Sequence, residues 1–214
     1  MKKNKVIFGS IVIVIFIVAL IVWKKYLIVL PIVSSSKDSE KCGVIDGCIA
    51  GEYNNVIYEG NIQKSSQGVS HGDMLIEFIQ SYNDELTIYY YNSEEKGKIK
   101  SENIIQGLEW MCKHKVKYVS ISLSSGYYSK ELDEWISAHK GELTIYASYS
   151  NEISTIDYPA QYNGVIGIGS NSRIGYKDND VCFRSNSLLL ISSDGIRIYK
   201  GNSYLTPLYM LQNL

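Results

Sequence analysis

Between residues 85 and 170 the hydrophobic period of the chain switches back and forth between two and 3.6, and that alternation restricts the fold more than any other feature. "ELTIYYYN" (85–92) is β-branched and aromatic and reads as a strand. "SENIIQGLEWMCKHK" (101–115) places apolar residues at 104, 105, 108, 111 and 112, the spacing of one helical face. "VKYVSISLS" (116–124) is again a strand, and "SKELDEWISAHKG" (129–141) a helix closed by Gly141. "ELTIYAS" (142–148) and "GVIGIGS" (164–170) are further strands. Strands that alternate with helices in this way predict an α/β fold, a mostly parallel sheet with helices on its faces.

The flanking segments extend the pattern. "CGVID" (42–46) reads as a short buried strand that stops at Asp46 because Gly47 follows, and "NVIYEG" is strand-like. "HGDMLIEFIQSY" puts Met74, Leu75, Phe78 and Ile79 on one helical face, with His71 in the first turn. Residues 187–201 read as two short strands, and a last helix starts near Ser203. "GVIGIGS" contains G-x-G without a third glycine or a following helix, so it is not a nucleotide fingerprint.

Charge is unevenly placed. Five lysines are the only charges in residues 1–25, which leaves sixteen basic against twenty-two acidic residues in the remainder. So acidic a domain lacks the footprint of a nucleic-acid binder. Residues 6–23, relieved only by Gly9 and Ser10, are apolar enough to span a bilayer, and no small-x-small site closes them before Trp23. They predict one uncleaved transmembrane helix in an anchor segment (1–33), a polar linker (34–41) and a domain over 42–214 on the extracytoplasmic side of a single-pass membrane protein. The four cysteines show no metal-ligand spacing and read as small buried hydrophobes, with one disulfide open to an exported domain.

In a parallel α/β sheet, functional groups gather where strands end and helices begin. Asp46 at a strand end, His71 at a helix start, Asn151 just past a strand and Ser203 in "GNSYLTP" all fall at such points. Each alone has an ordinary reading as a cap, turn or loop residue. Together they have the residue types of acyl transfer: a hydroxyl, an imidazole to take its proton, a carboxylate to orient the imidazole, and an amide to face an oxyanion.

"NIIQGLEWMCKHKVKYVSISLSSG", "ELTIYASYSNE" and "YPAQYNGVIGIGS" resemble the helix, strand and Tyr-Pro-Ala segments of the subtilisin-like serine proteases, the subtilase (peptidase S8) family. "VIDGCI", "SHGDML" and "GNSYLTP" are similar to that family's aspartate strand, histidine helix start and nucleophile turn, in the same order, from about residue 43 to 212. The resemblance implies a three-layer subtilisin-like fold and a serine endopeptidase, with Ser203 as nucleophile, His71 as base and Asp46 as its orienting carboxylate. It implies Asn151 as oxyanion donor, Ser122, Leu123 and Ser124 beside an extended peptide substrate, and Ala147, Ser148 and Tyr149 as a wall of the primary specificity pocket. It calls for no organic cofactor; it allows calcium, for which no metal site is identifiable. Substrate peptide or protein and the membrane are the implied partners.

Several positions depart from the family pattern. Ser150 replaces the glycine before the oxyanion asparagine, and Tyr149 puts a ring where small residues stand, which predicts a narrowed or altered pocket. Asp73 replaces a threonine and adds a carboxylate expected to raise the His71 pKa. Asn202, Tyr204 and Leu205 replace Thr, Met and Ala, and no pro-region separates anchor from domain. These departures leave open a second reading, an impaired relative that binds peptides without turning them over.

Overall fold

The computed structural model describes residues 13–19, 27–30, 41–60, 68–152, 156–170, 176–192 and 195–214. Its centre is a seven-stranded sheet of β2 (Lys41–Asp46), β3 (Val56–Gly60), β4 (Thr87–Asn92), β7 (Tyr118–Ile121), β8 (Thr144–Ser148), β9 (Val165–Ser170) and β10 (Val181–Phe183). The order is β10-β9-β8-β7-β2-β4-β3, and every pairing in it is parallel. From β2 the chain winds to one side through β3 and β4, then returns to the other through β7, β8 and β9. The direction of winding therefore reverses beside β2, and the crevice of such a sheet opens there, at the strands' C-terminal ends. Asp46 is the last residue of β2.

Period-two alternation loads both faces of the sheet. Val44, Tyr90 and Tyr146 point into one core; their neighbours Ile45, Tyr91 and Ala147 point into the other. The first core is covered by α1 (His71–Tyr82), through Leu75, Phe78 and Ile79, and by α4 (Asn202–Leu211), through Tyr204, Leu205 and Leu208. The second is covered by α2 (Ser101–Lys113) and α3 (Lys130–Ala138), whose Ile104, Leu108, Leu132 and Ile136 are buried. These are the three layers expected.

Two short strands, β5 (Glu94–Glu95) and β6 (Lys98–Ile99), form a hairpin before α2. The stretch 187–201 is the hairpin of β11 (Ser187–Ser192) and β12 (Gly195–Lys200). Against β11 lies a strand outside the domain boundary expected at residue 42: β1 (Ile28–Leu30) pairs with it in parallel, and Leu30 is buried in the first core. Packing thus reaches back into the segment read as anchor, because "LIVL" satisfies a strand edge.

Among the described residues no helix is long and apolar enough to cross a membrane. The run 6–23 lies outside them except for 13–19, which are helical, and most of the 34–41 linker lies outside them too. Of the cysteines only Cys42 is fully buried and Cys182 is exposed; none of the four is in a disulfide.

Candidate active site

Asp46 is 1% exposed, and its Oδ1 accepts hydrogen bonds from the Gly47 N–H (2.7 Å) and from His71 Nδ1 (2.9 Å). Its Oδ2 meets no donor among the described residues. The His71 side chain is 41% exposed, so one edge of the imidazole faces the crevice while the other is held by the carboxylate. That hydrogen bond raises the His71 pKa above its ordinary 6.5; burial opposes the rise, and the charge of Asp46 adds to it.

Helix α1 can deliver His71 there because the next residue is glycine. A Cβ on Gly72 would collide with the Tyr90 hydroxyl and come within 2.8 Å of Ile49 Cγ2. The Tyr90 hydroxyl in turn donates to the Gly47 carbonyl at 2.8 Å, which ties the end of β2 to the sheet.

Asp73 acts differently from the expectation. It completes a capping box with Ser70 and accepts from the Ala50 and Gly51 N–H groups (3.0 Å) and the Tyr53 hydroxyl (2.8 Å). Burial alone would raise its carboxyl, but bonds from Gly51, Ser70 and Tyr53 outweigh it and bring the pKa down to about 2. Asp73 clamps the 48–53 loop to α1, and the rise at His71 comes from Asp46.

Gly201, at φ +130, opens the second half of the site in a conformation that L side chains rarely adopt, and α4 begins immediately after it. Asn202 is buried and locks this turn to the sheet. Its Nδ2 donates to the Tyr149 (3.1 Å) and Ser150 (2.9 Å) carbonyls, and its Oδ1 accepts from Ser170 Oγ (2.9 Å). Its backbone N–H donates to Asn151 Oδ1 at 3.0 Å, which leaves the Nδ2 end of that amide for a ligand.

Ser203 lies in the first turn of α4, where a backbone N–H has no intrahelical acceptor. Four residues on, Pro207 has no N–H to give the Ser203 carbonyl, and Ser122 Oγ donates to that carbonyl instead, at 2.9 Å. The spacing of "GNSYLTP" thus binds the turn to the loop after β7. Ser203 Oγ makes a long bond to the Ser122 carbonyl (3.4 Å), and among the described residues no hydrogen bond joins it to His71. The two helix starts are in contact: the Tyr204 hydroxyl reaches Met74 Sδ at 3.5 Å, and Phe78 packs edge-on against Tyr204.

Beside Ser203 opens a cavity of about 380 Å³, with Ser122, Ser124, Ser148, Asn151 and Asp157 in its lining. Leu123 and Ala147 do not line it; both pack into the second core. Tyr149 borders it, but its ring turns away from the opening. The residue is 1% exposed, its hydroxyl donates to Asp180 Oδ2 (2.5 Å), and its ring stands edge-on to Tyr176 over Gly167 and Gly169. Tyr149 thus stands in the cavity lining, but its ring does not narrow the opening. Asp157, which no motif singled out, is 2% exposed and holds the Ser150 N–H at 2.9 Å.

Among the described residues no group of three His, Cys, Asp or Glu side chains is arranged to hold a metal ion. One set of oxygens suited to a hard cation does exist, the carbonyls of Ala160, Tyr162 and Val165 beside the Asp180 carboxylate, and the Lys177 ammonium is bound to all four.

The sequence model of the subtilase family, peptidase S8, matches residues 47–201. The chain belongs to the subtilase family. As a subtilase it is a serine endopeptidase, acting on peptide or protein substrates. No curated protein matches it in sequence, but solved structures share the subtilase fold. The prenylagaramide maturation protease PagA superposes with a TM-score of 0.60 at 13% identity, covering 80% of this chain and 72% of that one. A cold adapted subtilisin-like serine proteinase does so at 0.57 and 17% identity, over 86% of this chain and 81% of its own. The nisin leader peptidase NisP from Lactococcus lactis gives 0.56 and 14% identity, over 80% and 75%.

Proposed function

We propose that this subtilase cleaves peptide bonds through Ser203, His71 and Asp46, with Asn151 and the Ser203 N–H facing the oxyanion. The observation that carries the reading is the 2.9 Å bond between Asp46 Oδ1 and His71 Nδ1 at the reversal point of the sheet. With Nδ1 bonded to the carboxylate, Nε2 is the nitrogen able to take a proton.

On substrate binding, Ser203 Oγ gives up its long bond to the Ser122 carbonyl and passes its proton to His71 Nε2 as it attacks the scissile carbonyl carbon. The C=O electron pair moves onto oxygen, where Asn151 Nδ2 and the Ser203 N–H donate to it. His71 then protonates the leaving amine as the C–N bond breaks, leaving an acyl-Ser203. Water, deprotonated by the same imidazole, releases the acid and restores the hydroxyl. Asp46 keeps the imidazolium in place throughout.

The apolar run 6–23 supports a single membrane anchor, and the three lysines before it against two just after it support placing this domain on the extracytoplasmic side. Of the two readings left open by the sequence, the inward turn of the Tyr149 ring favours the working enzyme over the impaired binder.

Labelling with a fluorophosphonate probe tests the assignment. Wild type is expected to react and Ser203→Ala not to; equal labelling of both, or none of a folded wild type, overturns it.

A further inference from the structure

The cavity beside Ser203 has an unusual chemistry for a pocket that receives a side chain. It sits between two segments, the one after β7 (Ser122, Ser124) and the one at the end of β8 (Ser148 to Glu152). The first is bound to the chain just beyond Asp157, through reciprocal backbone bonds between Ser125 and Tyr158 of 2.9 and 2.7 Å. That pairing places the Asp157 carboxylate in the cavity, while Glu152 stands exposed in the same lining. Apart from Tyr149, whose ring is turned into the sheet, the remaining lining is serine, glycine and asparagine. Among the described residues the lining includes neither an aliphatic side chain nor a basic one.

An apolar side chain entering this space would lose water without gaining apolar contact. An anionic one would meet two carboxylates. A long cationic side chain fits on both counts: its methylenes need only line the walls, and its head reaches a carboxylate screened from bulk water, where charge-assisted hydrogen bonds are strong. Taking Ser203 as nucleophile, we infer that the enzyme selects arginine or lysine immediately before the scissile bond, with Asp157 as the specificity-determining residue and Glu152 adding charge at the mouth.

Asp157 also holds the Ser150 N–H, so its removal could act through structure alone. Asp157→Asn separates the two roles, since the amide oxygen can still accept that bond while the charge is gone. The test uses the full chain in mild detergent, carrying Ser203→Ala so that no turnover occurs. Fluorescence anisotropy measures binding of labelled peptides that differ only in having Arg, Leu or Glu before the scissile position.

The Arg peptide is expected to bind about 10- to 100-fold more tightly than the Leu peptide, with the Glu peptide weakest. Adding Asp157→Asn is expected to remove most of that gap and to leave Leu binding unchanged. Equal or better binding of the Leu peptide, a gap that survives Asp157→Asn, or no binding by any peptide overturns the inference. Fluorophosphonate labelling of Ser203 in the wild type is read separately. Its absence alongside an Arg preference defeats the nucleophile assignment and leaves the pocket's selectivity standing.

Discussion

The backbone N–H of Asn202 donates to Oδ1 of Asn151 at 3.0 Å, so the residue before the proposed nucleophile orients the proposed oxyanion donor. The Asn202 side chain anchors the same turn to the segment just after β8, through the Tyr149 and Ser150 carbonyls, and to β9 through Ser170 Oγ. Asn202→Ala is expected to lower stability by about 1–3 kcal/mol. It should lower the fluorophosphonate labelling rate more than tenfold, because transition-state donors tolerate little misplacement. KM for a peptide substrate should change little. Urea unfolding together with the kcat and KM split checks this.

The hydrogen bond from Asp46 raises the His71 pKa, and the imidazole acts as a base only when neutral. The rate kcat/KM should therefore climb with pH through an ionisation above the ordinary 6.5. Asp46→Asn should move that limb downward and reduce kcat by about 10³–10⁴-fold. The sign for stability is opposite. The His71–Asp46 pair contributes fully below pH 6.5 and is lost as pH rises through the raised pKa. A pH–rate profile and a pH series of melting curves separate the two effects.

Asp73, drawn down to about 2 by the groups it binds, couples folding to acid. Its contribution is complete above its ordinary value of 3.8 and is lost as pH falls toward 2. Asp73→Asn should therefore flatten the acid limb of the stability curve in that window. A matching curve for the variant and the wild type would sink this account.

Gly72 has no room for a methyl group beside the Tyr90 hydroxyl and Ile49. Gly72→Ala should destabilise the protein by about 1–3 kcal/mol by pushing the start of α1 away from β4. Tyr90→Phe in the same chain should restore part of that loss. Denaturant midpoints of the single and double variants decide it.

Lys177 replaces solvent for three backbone carbonyls and the Asp180 carboxylate. Lys177→Met keeps the methylene stem but leaves those oxygens without their cation. A loss of about 2–4 kcal/mol in unfolding free energy is expected.

Much of the candidate site could be proposed from the residues, because its parts lie at element boundaries that local chemistry marks. Asp46 ends an apolar strand before a glycine, His71 opens an amphipathic helix, and Ser203 follows a glycine that only a special backbone angle explains. The direction of the Tyr149 ring was not legible, for a physical reason. It lies one residue past the end of β8, where alternation no longer says which way a side chain points, and its destination is Asp180, thirty-one residues away.

The alternation of period two and period 3.6 by itself determined a layered α/β fold with a parallel sheet, since that signal is carried by neighbours in the chain. The contacts that only the tertiary structure decided are all distant in sequence. Ser122 binds the Ser203 carbonyl across eighty-one residues, Asp157 reaches the cavity through the Ser125–Tyr158 pairing, and β1 finds its place on β11. Hydrogen bonds and burial are settled by what comes near in space, and no local pattern encodes which serine or aspartate that will be.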